Sequence, residues 1–188
     1  MVFERFSRDA RAAVIQAQRD ARGFHADDIG PQHLLLGVLQ TAEGDLSATL
    51  GGYGLTIDGV RTRLAEAMET SESFDADADV LRLLGIDLRA VRDAVADTFG
   101  AEAFDRAVQR TGRGSRRRGR LAFTRAAKTT LQLALREAVA RKGKTICCEH
   151  IMLGILRDAD PVVMDIVTES ADPATLTAAV STLLERAA

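Results

Sequence analysis

Apolar residues recur at a helical interval near the start of the chain. Ala10, Ala13, Val14, Ala17 and Ala21 recur at helical spacing, behind Ser7 as N-cap and ahead of Gly23 as a stop. This predicts an amphipathic helix. A short loop leads to the run Leu34-Leu35-Leu36-Gly37-Val38-Leu39, a second and more apolar helix. Pro31 suits its opening, where a missing N–H costs nothing. The same phrase returns near the other end of the chain. Ala127, Leu131, Ala134, Leu135 and Ala138 repeat the stripe behind Thr124, Gly143 lies beyond, and Ile151-Met152-Leu153-Gly154-Ile155-Leu156 supplies the second helix. Gly37 and Gly154 both sit mid-helix, where glycine costs about 1 kcal/mol relative to alanine. Their recurrence points to another helix passing close by.

The two phrases superpose at an offset of 117. Between 6–39 and 123–156 there are no gaps, and 11 of 34 positions are identical. Chance gives about two, so the chain contains a duplication. After the first copy, Gly54–Arg61 begins a further helix running to about Met68, and a similar phrase returns at Gly85–Arg92. The stretch 69–109 therefore reads as helical insertion, with an acidic polar opening over Glu69–Asp79. Arg110–Arg120 holds six arginines and three glycines, which should form a flexible cationic linker.

Composition narrows the class. A chain of 188 residues makes one or two small domains, and 46% apolar residues exclude global disorder. Aromatics are 4%, tryptophan is absent, and 31 alanines stand against three prolines, which favours closely packed helices over sheets. The net charge of −2 is no bulk signature of a nucleic-acid or membrane-surface binder. No apolar run approaches the ~20 residues of a membrane span, and Met1–Phe6 lacks a signal-peptide core. Two adjacent cysteines make no disulfide framework. A cytoplasmic protein is expected.

Catalytic and metal signatures do not occur. The chain has no phosphate-cradling G-x-x-x-x-G-K-[ST], no G-x-G-x-x-G, no H-E-x-x-H and no G-x-S-x-G. The expectation is a protein that is not an enzyme and holds no cofactor or metal. Cys147, Cys148 and His150 lack the C-x₂₋₄-C spacing and would need a distant fourth zinc ligand, so the cysteines read as small apolar filling at a helix entrance. His33 and His150 flank the most apolar helices. Core histidines bonded to backbone are the favoured reading for both, over ligand or catalytic roles.

Phe3-Glu4-Arg5-Phe6-Ser7, with Ile29-Gly30-Pro31-Gln32-His33-Leu34-Leu35-Leu36-Gly37, resembles the Clp repeat. So does Phe123-Thr124-Arg125-Ala126-Ala127-Lys128 with Glu149-His150-Ile151-Met152-Leu153-Gly154. Paired Clp repeats form the N-terminal domain of the ClpC/ClpA class of AAA+ unfoldases. The resemblance implies an all-α fold of two pseudo-symmetric four-helix units packed as one helical domain. Repeat 1 would cover 1–68, the insertion and linker 69–120, and repeat 2 121–188. No Walker motif is present, and the segment between the copies is longer than the family's linker. The first copy reads Gly30-Pro31-Gln32-His33 where the family has Gly-Thr-Glu-His. The long insertion and Met1 favour a free-standing Clp-repeat protein, of a kind that actinobacteria encode, over a fragment.

The function implied is a non-enzymatic binding module of the Clp protease system. It would capture peptides, phosphoarginine-marked proteins or cyclic-peptide antibiotics. The alternative is a regulator that docks on a ClpC-type unfoldase or competes with its N-domain. Nucleic-acid binding through Arg110–Arg120 is weaker, because no aromatics interleave the arginines for base stacking. The family's positions fall on Thr124, Lys128 and Glu149 in the second copy, expected to form one complete phosphoarginine set. Ser7 and Arg11 stand at the matching positions of the first copy, where Gln32 replaces the carboxylate. Phosphoarginine binding is therefore expected to be dominated by the second repeat. Phe3 and Phe123 resemble the family's peptide-binding surface, with a core role as the other reading, whereas Phe6 reads as core.

Overall fold

The computed structural model describes residues 2–71 and 121–186. Expectations for 72–120, including the insertion and the arginine-rich run, lie outside the described residues. Of the described residues, 2–65 and 121–186 belong to one compact unit.

The chain opens with a 3-10 turn, Val2–Arg5. Helix α1 (Arg8–Gly23) follows, with the Ser7 hydroxyl accepting from the Ala10 N–H as cap. Next come a two-residue strand β1 (Asp28–Ile29), then α2 (Pro31–Thr41), α3 (Gly44–Gly52) and α4 (Ile57–Ser71). The second copy has β2 (Ala122–Phe123), then α5 (Arg125–Ala140), capped by Thr124, then α6 (Cys148–Asp158), α7 (Pro161–Ser170) and α8 (Pro173–Arg186). The offset of 117 seen in the sequence carries α1 onto α5 and α2 onto α6, residue for residue. One pair of left-handed residues repeats as well: His25 and Lys142, both at φ 56°, turn the chain after α1 and α5.

Within each copy the first two helices form a hairpin, and the mid-helix glycines explain its closeness. A Cβ on Gly37 would lie 2.2 Å from the Ala13 carbonyl oxygen, and one on Gly154 2.5 Å from that of Thr130. The expectation of a helix crossing there is met. Ala10, Ala13, Ala17 and Ala21 are fully buried on α1, as are Ala127, Ala134 and Ala138 on α5, so small residues line the facing side too.

The copies are joined by an exchange of segments. Strand β1, preceding α2, pairs in parallel with β2, preceding α5, with Ile29 opposite Phe123. Its counterpart is an isolated bridge between Phe6 and Ile146. Thr124 N donates to Ile29 O at 3.0 Å, and Ser7 N donates to Ile146 O at 2.9 Å. Each repeat thus holds the first-helix cap of the other. Phe6, Ile29 and Ile146 are buried at this seam, and α2 packs on α6 along the core.

Candidate functional site

The exchange creates two pseudo-equivalent helix-end junctions. At the first, Ser7 caps α1 next to the residues that begin α6. Arg11, one turn into α1, is exposed, and its Nε donates to the Phe6 carbonyl at 3.0 Å. That bond uses one of five guanidinium N–H groups and holds the side chain near the cap. Asp9 hydrogen-bonds with Ser7 and Cys148; burial would raise its carboxyl, but these bonds and the first-turn amides bring it below the ordinary value. Glu149, half-buried, follows Cys148 in the first turn of α6.

At the second junction Thr124 caps α5, and its hydroxyl accepts from Ala127 N at 3.0 Å. Lys128 is exposed one turn on. The facing element here is the start of α2, where Gln32 bends back over its own backbone: a Cβ on Gly30 would meet Gln32 Oε1 at 2.2 Å. Phe123 is half-buried and sits in β2. Phe3 lies in the opening 3-10 turn, and its side chain lies outside the described residues.

This arrangement corrects the grouping expected from sequence. Thr124, Lys128 and Glu149 do not converge. Helices α5 and α6 are antiparallel arms of one hairpin, with Thr130 Oγ1 donating to Asp158 Oδ2 at 2.7 Å near one end. Thr124 and Glu149 therefore stand at opposite ends, about 20 Å apart at 1.5 Å of rise per residue. Glu149 joins the Ser7–Arg11 end instead, and Thr124 with Lys128 faces Gln32. Each junction takes its cap and cation from one repeat and its third group from the other. The sequence reading also missed Asp9, whose only signal was an acidic residue in the first turn of α1 where the second copy has Ala126.

His33, His150 and the two cysteines are engaged within the protein. His33 Nδ1 accepts from Gly30 N at 3.0 Å, and His150 Nδ1 accepts from Cys147 N at 3.2 Å, so each closes the start of its own helix. Burial lowers His33 to about 4 and also lowers His150. Burial pushes both thiols, Cys147 and Cys148, up to about 12, which leaves little thiolate for chemistry. Among the described residues, no group of three or more His, Cys, Asp or Glu side chains is arranged to hold a metal ion. None of the described helices is long and apolar enough to cross a membrane.

Comparison with known proteins follows this architecture. A family model described as the Clp repeat N-terminal domain matches residues 5–78 and 70–170. The chain is similar to chaperone protein ClpC1 of the Arabidopsis thaliana chloroplast, 27% identical over 176 residues that make up 93% of this chain and 14% of that protein. It is similar to the ATP-binding subunit ClpC of the ATP-dependent Clp protease from Staphylococcus epidermidis, 24% identical over 162 residues, 86% of this chain and 15% of the relative. The chain thus spans a small part of the length of these relatives. In fold it resembles the N-terminal domain of the Arabidopsis thaliana chaperone ClpD, with a TM-score of 0.65 at 22% identity over 98% of this chain and 97% of that one.

Proposed function

Because the chain belongs to the Clp repeat N-terminal domain family, we propose that it is a non-catalytic capture module that binds peptides or marked proteins for the Clp protease system. The observation that carries this reading is the cross-repeat junction holding Ser7, Arg11 and Glu149 at one helix start. Phosphoarginine needs donors for its phosphoryl group and a carboxylate for its guanidinium. The start of α1 offers the positive end of the helix dipole, Arg11 offers a guanidinium fork, and Glu149 offers the carboxylate. Asp9 adds a second carboxylate beside it. The Thr124–Lys128 junction has the donors but faces the neutral Gln32, so the first junction is the stronger of the two. Phe123, half-buried beside the weaker junction, is suited to an aromatic side chain of a peptide or cyclic-peptide ligand.

Calorimetric titration with free phosphoarginine tests the assignment. Arg11→Ala and Glu149→Ala should each weaken binding by about tenfold or more, the cost of one charge-assisted contact. Lys128→Ala and Gln32→Ala should change it little. If Lys128→Ala abolishes binding while Arg11→Ala leaves it intact, the assignment to the first junction is wrong.

A further inference from the structure

At the far end of α1 from its cap, about 20 Å away along the helix, lies a cleft of about 420 Å³ lined by Gln16, Arg19, Asp20, Gly23, Phe24 and Arg61. We infer that this cleft binds an oxyanion, a carboxylate or phosphoryl group, carried on a peptide. The inference does not rest on the helix-start junctions and uses none of their residues.

The argument is an account of donors and acceptors. Asp20 is the acidic group of the cleft, with a side chain only 4% exposed. Both its oxygens are engaged: Oδ1 accepts from Arg61 Nη2 at 2.9 Å, and Oδ2 accepts from Gln40 Nε2 at 2.7 Å. Three carbonyls near the end of α1 are occupied as well. Asp20 O accepts from Phe24 N, Ala21 O from Ala26 N and Arg22 O from His25 N. A positively charged guest would therefore compete with donors already bound to Asp20 and to these carbonyls. The donors are in surplus. A guanidinium carries five N–H groups. Arg61 gives one Nη to Asp20 and is otherwise half exposed, and the Arg19 contact within the protein is a long 3.4 Å bond to Gln16 Oε1. Two arginines against one buried, neutralised carboxylate leave one net positive charge on the cleft wall.

The carboxylate–Arg61 bond also holds that guanidinium in place, which favours bidentate contact with an incoming oxyanion. Beside the cations stands the half-buried ring of Phe24, packed 6.3 Å from the His33 ring. It supplies an apolar wall for a side chain next to the anionic group. That combination fits a short acidic peptide containing aromatic residues better than it fits a free ion.

The full 188-residue chain is titrated against a fluorescein-labelled peptide of alternating phenylalanine and glutamate, read by fluorescence anisotropy at low salt. Saturable binding that weakens with ionic strength is expected. Arg19→Gln should weaken it about tenfold, and Arg19→Lys should recover only part, because an ammonium lacks the fork. Arg19 is exposed, so these variants should fold, and a thermal melt checks this. Competition separates the sources: displacement at lower concentration by inorganic phosphate assigns a phosphoryl guest, and by acetate a carboxylate guest. Equal affinity of Arg19→Gln and the parent chain would overturn the inference. So would tighter binding by Arg19→Glu, or a lack of saturable binding by the parent.

Discussion

His33 is 1% exposed and sits in the first turn of α2, where its ring nitrogen takes up an amide that the helix leaves unpaired. Because Nδ1 accepts that bond, the neutral ring carries its proton on Nε2. Charging the ring would cost the hydrogen bond and place a cation in the core, which is why burial lowers it to about 4 from an ordinary 6.5. The sign of the linkage is set by this. Between those values the unfolded chain binds the proton and the folded chain does not, so the contribution is intact above pH 6.5 and is lost as pH falls toward 4. Between pH 7 and pH 5 the loss should be about 2 kcal/mol. His33→Gln keeps an acceptor at a position where glutamine is a natural capping residue. Urea unfolding at the two pH values should show a smaller loss in the variant than in the parent; equal losses would mean that His33 is not the titrating group.

At the scale of elements, the helix hairpins depend on close approach rather than on helix propensity. Replacing an exposed mid-helix glycine with alanine ordinarily stabilises by about 1 kcal/mol. At Gly154 the added methyl would meet the Thr130 carbonyl oxygen and the Ala134 amide, both backbone atoms that move only if the two helices part. Gly154→Ala should therefore reverse the usual sign and destabilise by about 2 kcal/mol, with Gly37→Ala behaving alike. A raised melting temperature in either variant would contradict the crossing. The caps act at the same scale. Asp160 accepts from Val162 N and Val163 N at the start of α7, so Asp160→Ala should cost about 1 kcal/mol in a denaturant melt.

For the whole molecule, the exchange of segments makes the two repeats depend on each other. Residue Ile29 of the first repeat has its carbonyl satisfied by Thr124, and Ile146 of the second has its amide satisfied by Arg5 and its carbonyl by Ser7. Separated, each repeat would expose these groups and the apolar surface at the seam between α2 and α6. Residues 1–71 and 121–188 expressed as separate chains should each show weak, non-cooperative unfolding, and mixing them should restore a cooperative transition by circular dichroism. Two independently cooperative halves would show that the seam contributes little. The same seam composes the candidate site, since Arg11 and Glu149 come from different repeats.

Much of this architecture follows from local pattern. The alanine stripes, the Ser7 and Thr124 caps and the repeat at 117 specify α1, α2, α5 and α6, because amphipathic periodicity and capping are properties of neighbouring residues. The glycine in each second helix announces a crossing for the same reason, having no local use. The third and fourth helices of the second copy carry weaker stripes and were implied by resemblance rather than read from the pattern. The candidate site was legible as a set of residue types but not as a set of neighbours. Sequence order grouped Glu149 with Thr124 and Lys128, the nearest matching positions along the chain. An antiparallel hairpin sends those residues to opposite ends, and parallel pairing between repeats brings each helix start to the other repeat's cap. Asp20 was hidden in the same way, a polar position in an alanine-rich helix that acquires meaning only when Gln40 and Arg61 fold against it. Periodicity determines which face of a helix is buried, whereas the pairing between repeats is a long-range choice made by backbone hydrogen bonds, which any sequence can form, and only the tertiary structure decides it.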